Sequence, residues 1–189
     1  LANILNNIGW NLHLMGQHES ALAIYGEALE WAKRGGNTRL EVAIYNGQSE
    51  IFTDLGDYET AYTLAKLAIQ KSERVAEGAI KAYLCRGMAR LERLHKRWDA
   101  ALDWIEQAKS LLAKSIVGVA NVEGLRGMIW VERGEIEKGR EILVHACDDL
   151  ERSHSLIDLA QAYLFRACAE FRSGKKDEAV QTLTRALAA

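Results

Sequence analysis

Apolar residues recur three and four positions apart in one segment of the chain after another, which is the spacing of a helix face. The first such series is Ile4, Leu5, Ile8 and Leu12. The pattern predicts ten helices, over residues 2–15, 18–34, 39–54, 58–74, 77–94, 98–113, 116–133, 136–153, 156–173 and 176–188. Proline, the residue that most often interrupts a helix, is absent from the chain. The sequence therefore predicts an all-α fold of about ten helices.

One short block recurs five times, each time between the two helices of a successive pair. The copies begin at Gly16, Gly56, Lys96, Gly134 and Gly174. Each copy closes five residues later on a small residue, namely Ala21, Ala61, Ala101, Gly139 and Ala179. Glycine suits the turn because it adopts a left-handed backbone without strain. Five copies in register, spaced by about 40 residues, predict five helical hairpins in tandem.

Small residues also mark the predicted contact between the two helices of each hairpin. In the second helices they are Ala28, Ala68, Ala108, Ala146 and Ala186. In the first helices they are Gly9, Ser49, Ala89, Gly127 and Ala167. Small residues allow two helices to approach closely, and each hairpin of such an array contacts only its neighbours. We therefore expect one repeat domain over residues 1–189, with repeats at about 1–36, 37–75, 76–114, 115–154 and 155–189.

Several helix starts carry capping signals. Ser115 is a predicted N-cap before Ile116. The spacing of Thr38 and Glu41 is that of a capping box, in which the first residue caps the helix. The spacing of Ser155 and Asp158 is the same, with Asp in place of Glu.

The repeated block resembles the tetratricopeptide repeat family, and Gly56-Asp57-Tyr58-Glu59-Thr60-Ala61 is the copy that resembles it best. The resemblance covers nearly the whole chain. It implies a superhelical solenoid of antiparallel hairpins, whose first helices line a concave groove for a protein or peptide. The period of about 40 residues is longer than the commonest family period of 34, and the proline that usually closes a repeat is missing.

The positions that line the groove in the tetratricopeptide repeat family can be transferred to each copy of the repeat in this sequence, and together they predict a ligand groove. Its main residues are Asn6, Trp10, Asn46, Glu50, Tyr83, Arg86, Arg90, Arg93, Asn121 and Met128. Further positions of this kind are Asn3, His13, Thr53, Val131, Gln161, Leu164, Cys168 and Phe171. The other tryptophans are predicted to pack between helices, namely Trp31, Trp98, Trp104 and Trp130.

Two features of this predicted groove indicate its chemistry. Asn6 and Asn46 occupy the same position in adjacent copies, where a side-chain amide can hold an extended peptide backbone. Arg86, Arg90 and Arg93 share one helix face and would suit a carboxylate or another anion. The alternative is a solvated face whose positive charge is offset by Glu92 and nearby acids.

Residues 164–170, Leu-Phe-Arg-Ala-Cys-Ala-Glu, resemble the helical-repeat region of large ATP-dependent LuxR-type transcriptional activators, the maltose-activator group. In that family the repeats link a nucleotide-binding module to a DNA-binding module and receive an inducer. The resemblance implies the sensor and assembly segment of a bacterial cytoplasmic regulator. The alternative is a free-standing adaptor or peptide receptor that binds an extended peptide, which could be acidic. An enzyme, or an enzyme's accessory domain, is the third and least favoured class.

Charge and motifs narrow the expected chemistry. The chain has 24 Lys and Arg against 26 Asp and Glu, a balance that argues against binding to nucleic acid or anionic membranes. No run of 18 apolar residues predicts a membrane span. The sequence contains no GxxxxGK[ST], HExxH or CxxC motif. No catalytic, metal or cofactor site is therefore predicted.

The cysteines and histidines likewise predict no catalytic or metal site. The cysteines are widely spaced and are expected to be reduced and buried, as in a cytoplasmic protein; they are Cys85, Cys147 and Cys168. Four histidines lie near helix ends, where hydrogen-bonded or solvent-facing rings are expected; they are His13, His18, His95 and His154.

The two ends of the sequence suggest a larger protein. The chain begins with Leu1, already inside a helical pattern, so we expect it to be a fragment. Its last predicted helix carries Val180, Leu183 and Leu187 with no repeat after them. An apolar helix face of this kind would promote self-association.

Overall fold

A computed structural model describes residues 1–74 and 78–188, and helices are the only regular elements in those ranges. They are α1 Ala2–Leu14, α2 His18–Arg34, α3 Thr38–Asp54, α4 Tyr58–Ser72, α5 Gly78–Leu94, α6 Trp98–Leu112, α7 Ile116–Arg133, α8 Ile136–Ser153, α9 Leu156–Arg172 and α10 Lys176–Ala188. The predicted all-α fold is confirmed, with helix ends within two residues of the predicted ones. The predicted helix start at residue 77, the repeat boundary at 75 and 76, and residue 189 lie outside the described residues.

The turn inside each predicted hairpin contains one residue with a left-handed backbone. The φ angles are 74° at Gly16, 80° at Gly56, 58° at Lys96, 104° at Gly134 and 82° at Gly174. This confirms the turn positions that the repeat predicted. Lys96 adopts the same conformation with a side chain, at a cost of roughly 1–2 kcal/mol that glycine avoids.

The capping residues agree only in part with the sequence. Ser115 accepts a hydrogen bond from the Gly118 backbone N–H at 3.1 Å, as predicted. The cap of α3 is one residue earlier than predicted, because the Asn37 side chain accepts from the Leu40 N–H at 3.1 Å. The Ser155 side chain does not cap the backbone of α9, because its hydroxyl donates a hydrogen bond to the Asp158 carboxylate at 2.6 Å.

The chain divides into two compact units, Leu1–Leu91 and Glu92–Ala189, and the division lies within α5. In unit 1, α1 packs on α2 and α3 packs on α4. In unit 2, α7 packs on α8 and α9 packs on α10. A single domain over the whole chain stays a prediction.

The predicted small residues lie at the contacts between paired helices. In unit 1 four of the alanines are fully buried, namely Ala21, Ala28, Ala61 and Ala68. Ser49 of α3 donates its hydroxyl to the Ala61 carbonyl of α4 at 2.8 Å. In unit 2, a Cβ added to Gly127 would lie 2.9 Å from the Gly139 carbonyl oxygen, so these backbones have no room for larger residues.

Tyr25 of α2 packs between α1 and α3, in the core of unit 1. Its ring is 1% exposed. A Cβ added to Gly9 would lie 2.9 Å from two of its ring carbons, and one added to Gly47 would lie 2.5 Å from its hydroxyl oxygen. Burial, and next the negative charge of Glu50, raise the pKa of the Tyr25 phenol above its ordinary value. Two glycines therefore make the slot that this ring fills.

We expect Gly47→Ala to lower the melting temperature by several degrees, about 1–3 kcal/mol of stability, because its methyl group would overlap a rigid, buried ring. Gly26→Ala is the matched control, since Gly26 is also inside a helix and a Cβ there would meet nothing within 4 Å. The control should be neutral or stabilising by up to about 1 kcal/mol. Thermal melts followed by circular dichroism compare the two, and equal melting temperatures would contradict the Tyr25 slot.

Candidate functional site

The predicted groove residues divide between the two units. Seven lie in unit 1, on the first helices of its hairpins, and these are Asn6, Trp10, Asn46, Glu50, Tyr83, Arg86 and Arg90. Arg93, Asn121 and Met128 lie in unit 2. Contacts join six of the seven in unit 1 with two residues from outside the main predicted set, His13 and Asp54. We call these eight side chains the polar ridge: Trp10, His13, Asn46, Glu50, Asp54, Tyr83, Arg86 and Arg90.

Glu50 of α3 is the centre of one half of the polar ridge. The Asn46 side-chain amide donates to it at 3.3 Å from one turn earlier in the same helix. The Arg86 guanidinium of α5 lies 3.6 Å from it. Arg86 also lies over the Tyr83 ring, 5.6 Å from the ring centroid, within the range of a cation–π contact.

Asp54, at the end of α3, is the centre of the other half. His13 Nε2 of α1 lies 2.8 Å from one carboxylate oxygen, and Arg90 of α5 donates to the other. Burial by itself would raise the pKa of the Asp54 carboxyl, but the hydrogen bond to His13 and the charge of Arg90 together lower it. Trp10 packs edge-on against His13, with ring centroids 5.6 Å apart. Asp54 thus ties together the first helices of three successive hairpins.

The predicted arginine series is paired with acids on neighbouring first helices. Arg86 pairs with Glu50 and Arg90 pairs with Asp54 in unit 1. Arg93 pairs with Glu132 of α7 at 2.7 Å in unit 2. The positive charge is therefore offset, as in the alternative interpretation, and Glu92 pairs with Arg97.

The remaining predicted residues take no part in the polar ridge. Asn6 is half-buried and donates to Asn7 at 3.5 Å. In unit 2, Asn121 borders a narrow crevice with Gln161 and Phe165. Met128 is buried, so its side chain contributes to the interior of unit 2.

Two expectations about single residues were wrong. Trp31 does not pack between helices, because it is 41% exposed and borders an open cleft of about 300 Å³ with Leu1 and Leu40. Cys168 is exposed, whereas Cys85 and Cys147 are buried as predicted. Burial raises the pKa of the Cys147 thiol to about 12, which leaves it protonated at neutral pH.

None of the helices within residues 1–74 and 78–188 is long and apolar enough to cross a membrane. In the same ranges, no group of three or more His, Cys, Asp and Glu side chains is placed to hold a metal ion together.

Comparison with family models identifies the repeats at both ends of the chain. One tetratricopeptide repeat model matches residues 1–34, and a second matches residues 160–189. Residues 1–34 include Trp10 and His13, so the first matched repeat contributes directly to the polar ridge.

Solved structures share the fold of this chain along its length. A thermophilic TPR protein from Thermus thermophilus is 17% identical, with a TM-score of 0.74 over 100% of this chain and 91% of that one. BtubC (BKLC) from P. vanneervenii is 17% identical, with a TM-score of 0.69 over 99% of this chain and 77% of that one. A putative kinesin light chain with TPR-like repeats from Podospora anserina is 12% identical, with a TM-score of 0.66 over 98% and 92% of the two chains. No curated protein matches the chain in sequence.

Arg90→Glu should lower the melting temperature by about 2–4 °C, because it removes the ion pair with Asp54 and places two negative charges together. Arg90→Lys should retain most of the stability, since it keeps the charge. Lys114→Glu is the control for charge reversal in an exposed turn and should change the melting temperature by no more than about 1–2 °C. A melt of Arg90→Glu that matches the wild type would show that the pair contributes nothing to stability.

Proposed function

We propose that this chain is a non-catalytic scaffold that binds a protein or peptide, and that the polar ridge of unit 1 is its binding surface. The observation that carries the proposal is the pair of exposed aromatic side chains on the ridge, Trp10 at 38% and Tyr83 at 56%. Tryptophan and tyrosine are the side chains that most often anchor a protein partner. Tetratricopeptide repeats provide extended surfaces of this kind for partners.

The polar ridge suits an extended peptide with little net charge better than a strongly charged peptide. Its two arginines and two acids offset each other, so it has no excess charge to attract an acidic ligand. The Asn46 amide nitrogen donates to Glu50, and the side-chain oxygen of Asn46 is the atom that would accept a hydrogen bond from a peptide N–H. A peptide with an apolar or aromatic side chain could thus pack on Trp10 or Tyr83 while its backbone meets Asn46.

The cellular setting that we propose is a bacterial cytoplasmic regulator of the LuxR type, with these repeats as its sensor and assembly segment. The resemblance of residues 164–170 and the period of about 40 residues support it. In this setting the ligand is an inducer or another module of the same protein. Mass determination and sequencing of the intact protein would test this. A phosphate-binding loop before the repeats and a helix-turn-helix after them would support the regulator.

A free-standing adaptor or peptide receptor is the alternative. Asn46 and the exposed ring of Tyr83 favour it, since both groups suit an extended peptide and are linked through Glu50 and Arg86. An intact protein that consists of tetratricopeptide repeats alone would decide for the adaptor.

Self-association through the last helix is a further part of the proposal. Val180, Leu183 and Leu187 are exposed on α10, and Leu187 is 91% exposed. In the earlier hairpins the position of Leu183 is buried, as at Tyr25 and Leu143. Burial of such a face against a second copy would remove apolar surface from water.

The binding surface can be tested with an array of ten- to fifteen-residue peptides of acidic, basic and neutral sequence. We expect neutral peptides that contain an aromatic or aliphatic residue to bind. Acidic peptides should bind with no higher affinity than these neutral ones. Trp10→Ala should weaken binding at least tenfold by fluorescence anisotropy, because it removes an anchor ring. Trp31→Ala is the matched control, since Trp31 is equally exposed but outside the polar ridge. Equal binding by both variants would contradict the proposed surface, and a preference for acidic peptides would contradict the proposed ligand chemistry.

The self-association proposal has its own test. Sedimentation velocity over a hundredfold range of concentration should show reversible association of the wild-type chain. Leu183→Glu/Leu187→Glu should remain monomeric throughout, because charge would be placed on the apolar face of α10. A wild-type chain that is monomeric at every concentration would overturn this part.

A further inference from the structure

His13 is held in one orientation by a carboxylate. It lies in the last turn of α1, is 8% exposed, and its Nε2 atom lies 2.8 Å from Asp54. Asp54 is also paired with Arg90, so it is a charged acceptor that requires a donor. In the tautomer that donates from Nε2 to Asp54, the Nδ1 atom of His13 carries a lone pair.

The Nδ1 atoms of His13 and of His18, at the start of α2, are both buried, and neither has a hydrogen-bond partner among the described residues. The two rings are neighbours across the Gly16 turn, with centroids 5.6 Å apart and planes inclined at 53°. Leaving a buried acceptor unpaired costs about 1–3 kcal/mol, and most buried polar groups in proteins do have a partner. Two such atoms therefore lie in adjacent rings.

The spacing of the two rings fits one shared metal ion. Imidazole nitrogen binds zinc at about 2.0–2.1 Å, which places the ring centroid roughly 3.2 Å from the metal. Two such rings at an angle of about 110–125° around the ion have centroids roughly 5.2–5.7 Å apart. The observed separation of 5.6 Å lies inside this range.

We propose that His13 and His18 bind one divalent transition-metal ion through their Nδ1 atoms. Asp54 would be the carboxylate on the far nitrogen of His13, the arrangement that orients most metal-binding histidines. Imidazole ligands favour nickel, copper and zinc over magnesium and calcium. The described residues offer no third side-chain ligand here, so water completes the coordination and binding is reversible.

The bound ion would connect the end of α1 to the start of α2 and, through Asp54, to the end of α3. Trp10 stands edge-on to His13 and would lie next to the occupied site. The ion would therefore fix one end of the polar ridge. This inference does not depend on the proposed peptide function, because it rests on the two unpartnered nitrogens alone.

Calorimetric titration with Ni²⁺ alone, into the wild-type chain free of any affinity tag, tests the site. Nickel is chosen because it prefers imidazole, whereas the exposed Cys168 thiol would compete for softer ions. We expect one ion per chain, bound at least tenfold more weakly after His18→Gln. His145→Gln, which removes an exposed histidine from α8, is the matched control and should bind like the wild type.

Thermal melts in the presence of a chelator show whether the His18→Gln chain is folded. If it is not folded, His13→Gln replaces it in the nickel titration. A second readout is the melting temperature, which Ni²⁺ should raise for the wild type and His145→Gln only. Absence of saturable binding by the wild-type chain would overturn the proposal. So would a His18→Gln chain that binds Ni²⁺ with unchanged affinity.

Discussion

The close packing of Tyr25 against two glycines is the contact on which the rest of unit 1 depends. Gly9 of α1 and Gly47 of α3 have no side chains, and the ring of Tyr25 occupies the space that they leave. This brings α1 and α3, which are first helices of adjacent hairpins, close enough for His13 to reach Asp54. A larger residue at either glycine would separate them. The polar contacts on the surface therefore follow from a steric fit in the core.

The charges of the polar ridge hold the hairpins together more than they attract a ligand. Glu50 and Asp54 are each paired with an arginine on α5, and both pairs are half-buried. An arginine in such a pair would have to leave its carboxylate before it could bind an anion, and a buried, unpaired acid is costly. The groups that would meet a partner in the proposed function are the exposed rings of Trp10 and Tyr83 and the side-chain oxygen of Asn46. Recognition by this surface is accordingly expected to depend on packing and on backbone hydrogen bonds.

Much of the fold could be predicted from the sequence because its signals are local. Helix periodicity, a turn residue and small residues seven apart all lie within one hairpin, and five copies reinforce one another. The cap of α3 was placed one residue too late, because Asn37 and Thr38 are both good caps and only geometry chooses between them. The exposure of Trp31 was missed because nothing local distinguishes a core tryptophan from one that borders a cleft.

The site was harder to predict because its contacts join different hairpins. Seven residues of the main predicted set do lie on the first helices of unit 1, but their partners could not be assigned from one helix. Arg90 and Asp54 are 36 residues apart, and His13 and Asp54 are 41 apart. Both separations are close to one repeat, so a search for opposite charges about 40 residues apart would have found them. The assignment to LuxR-type regulators rests on the resemblance of the sequence and stays a prediction.

The central claim is that Trp10 and Tyr83 are open to solvent in the free chain and are covered by the partner. Hydroxyl-radical footprinting with mass spectrometry tests it directly, on the free chain and on the chain saturated with a bound peptide. The account predicts oxidation of Trp10, Tyr83 and Trp31 in the free chain, with protection of Trp10 and Tyr83 alone in the complex. Protection of Trp31, with Trp10 and Tyr83 still reactive, would contradict the account and place the ligand at the cleft beside Leu1.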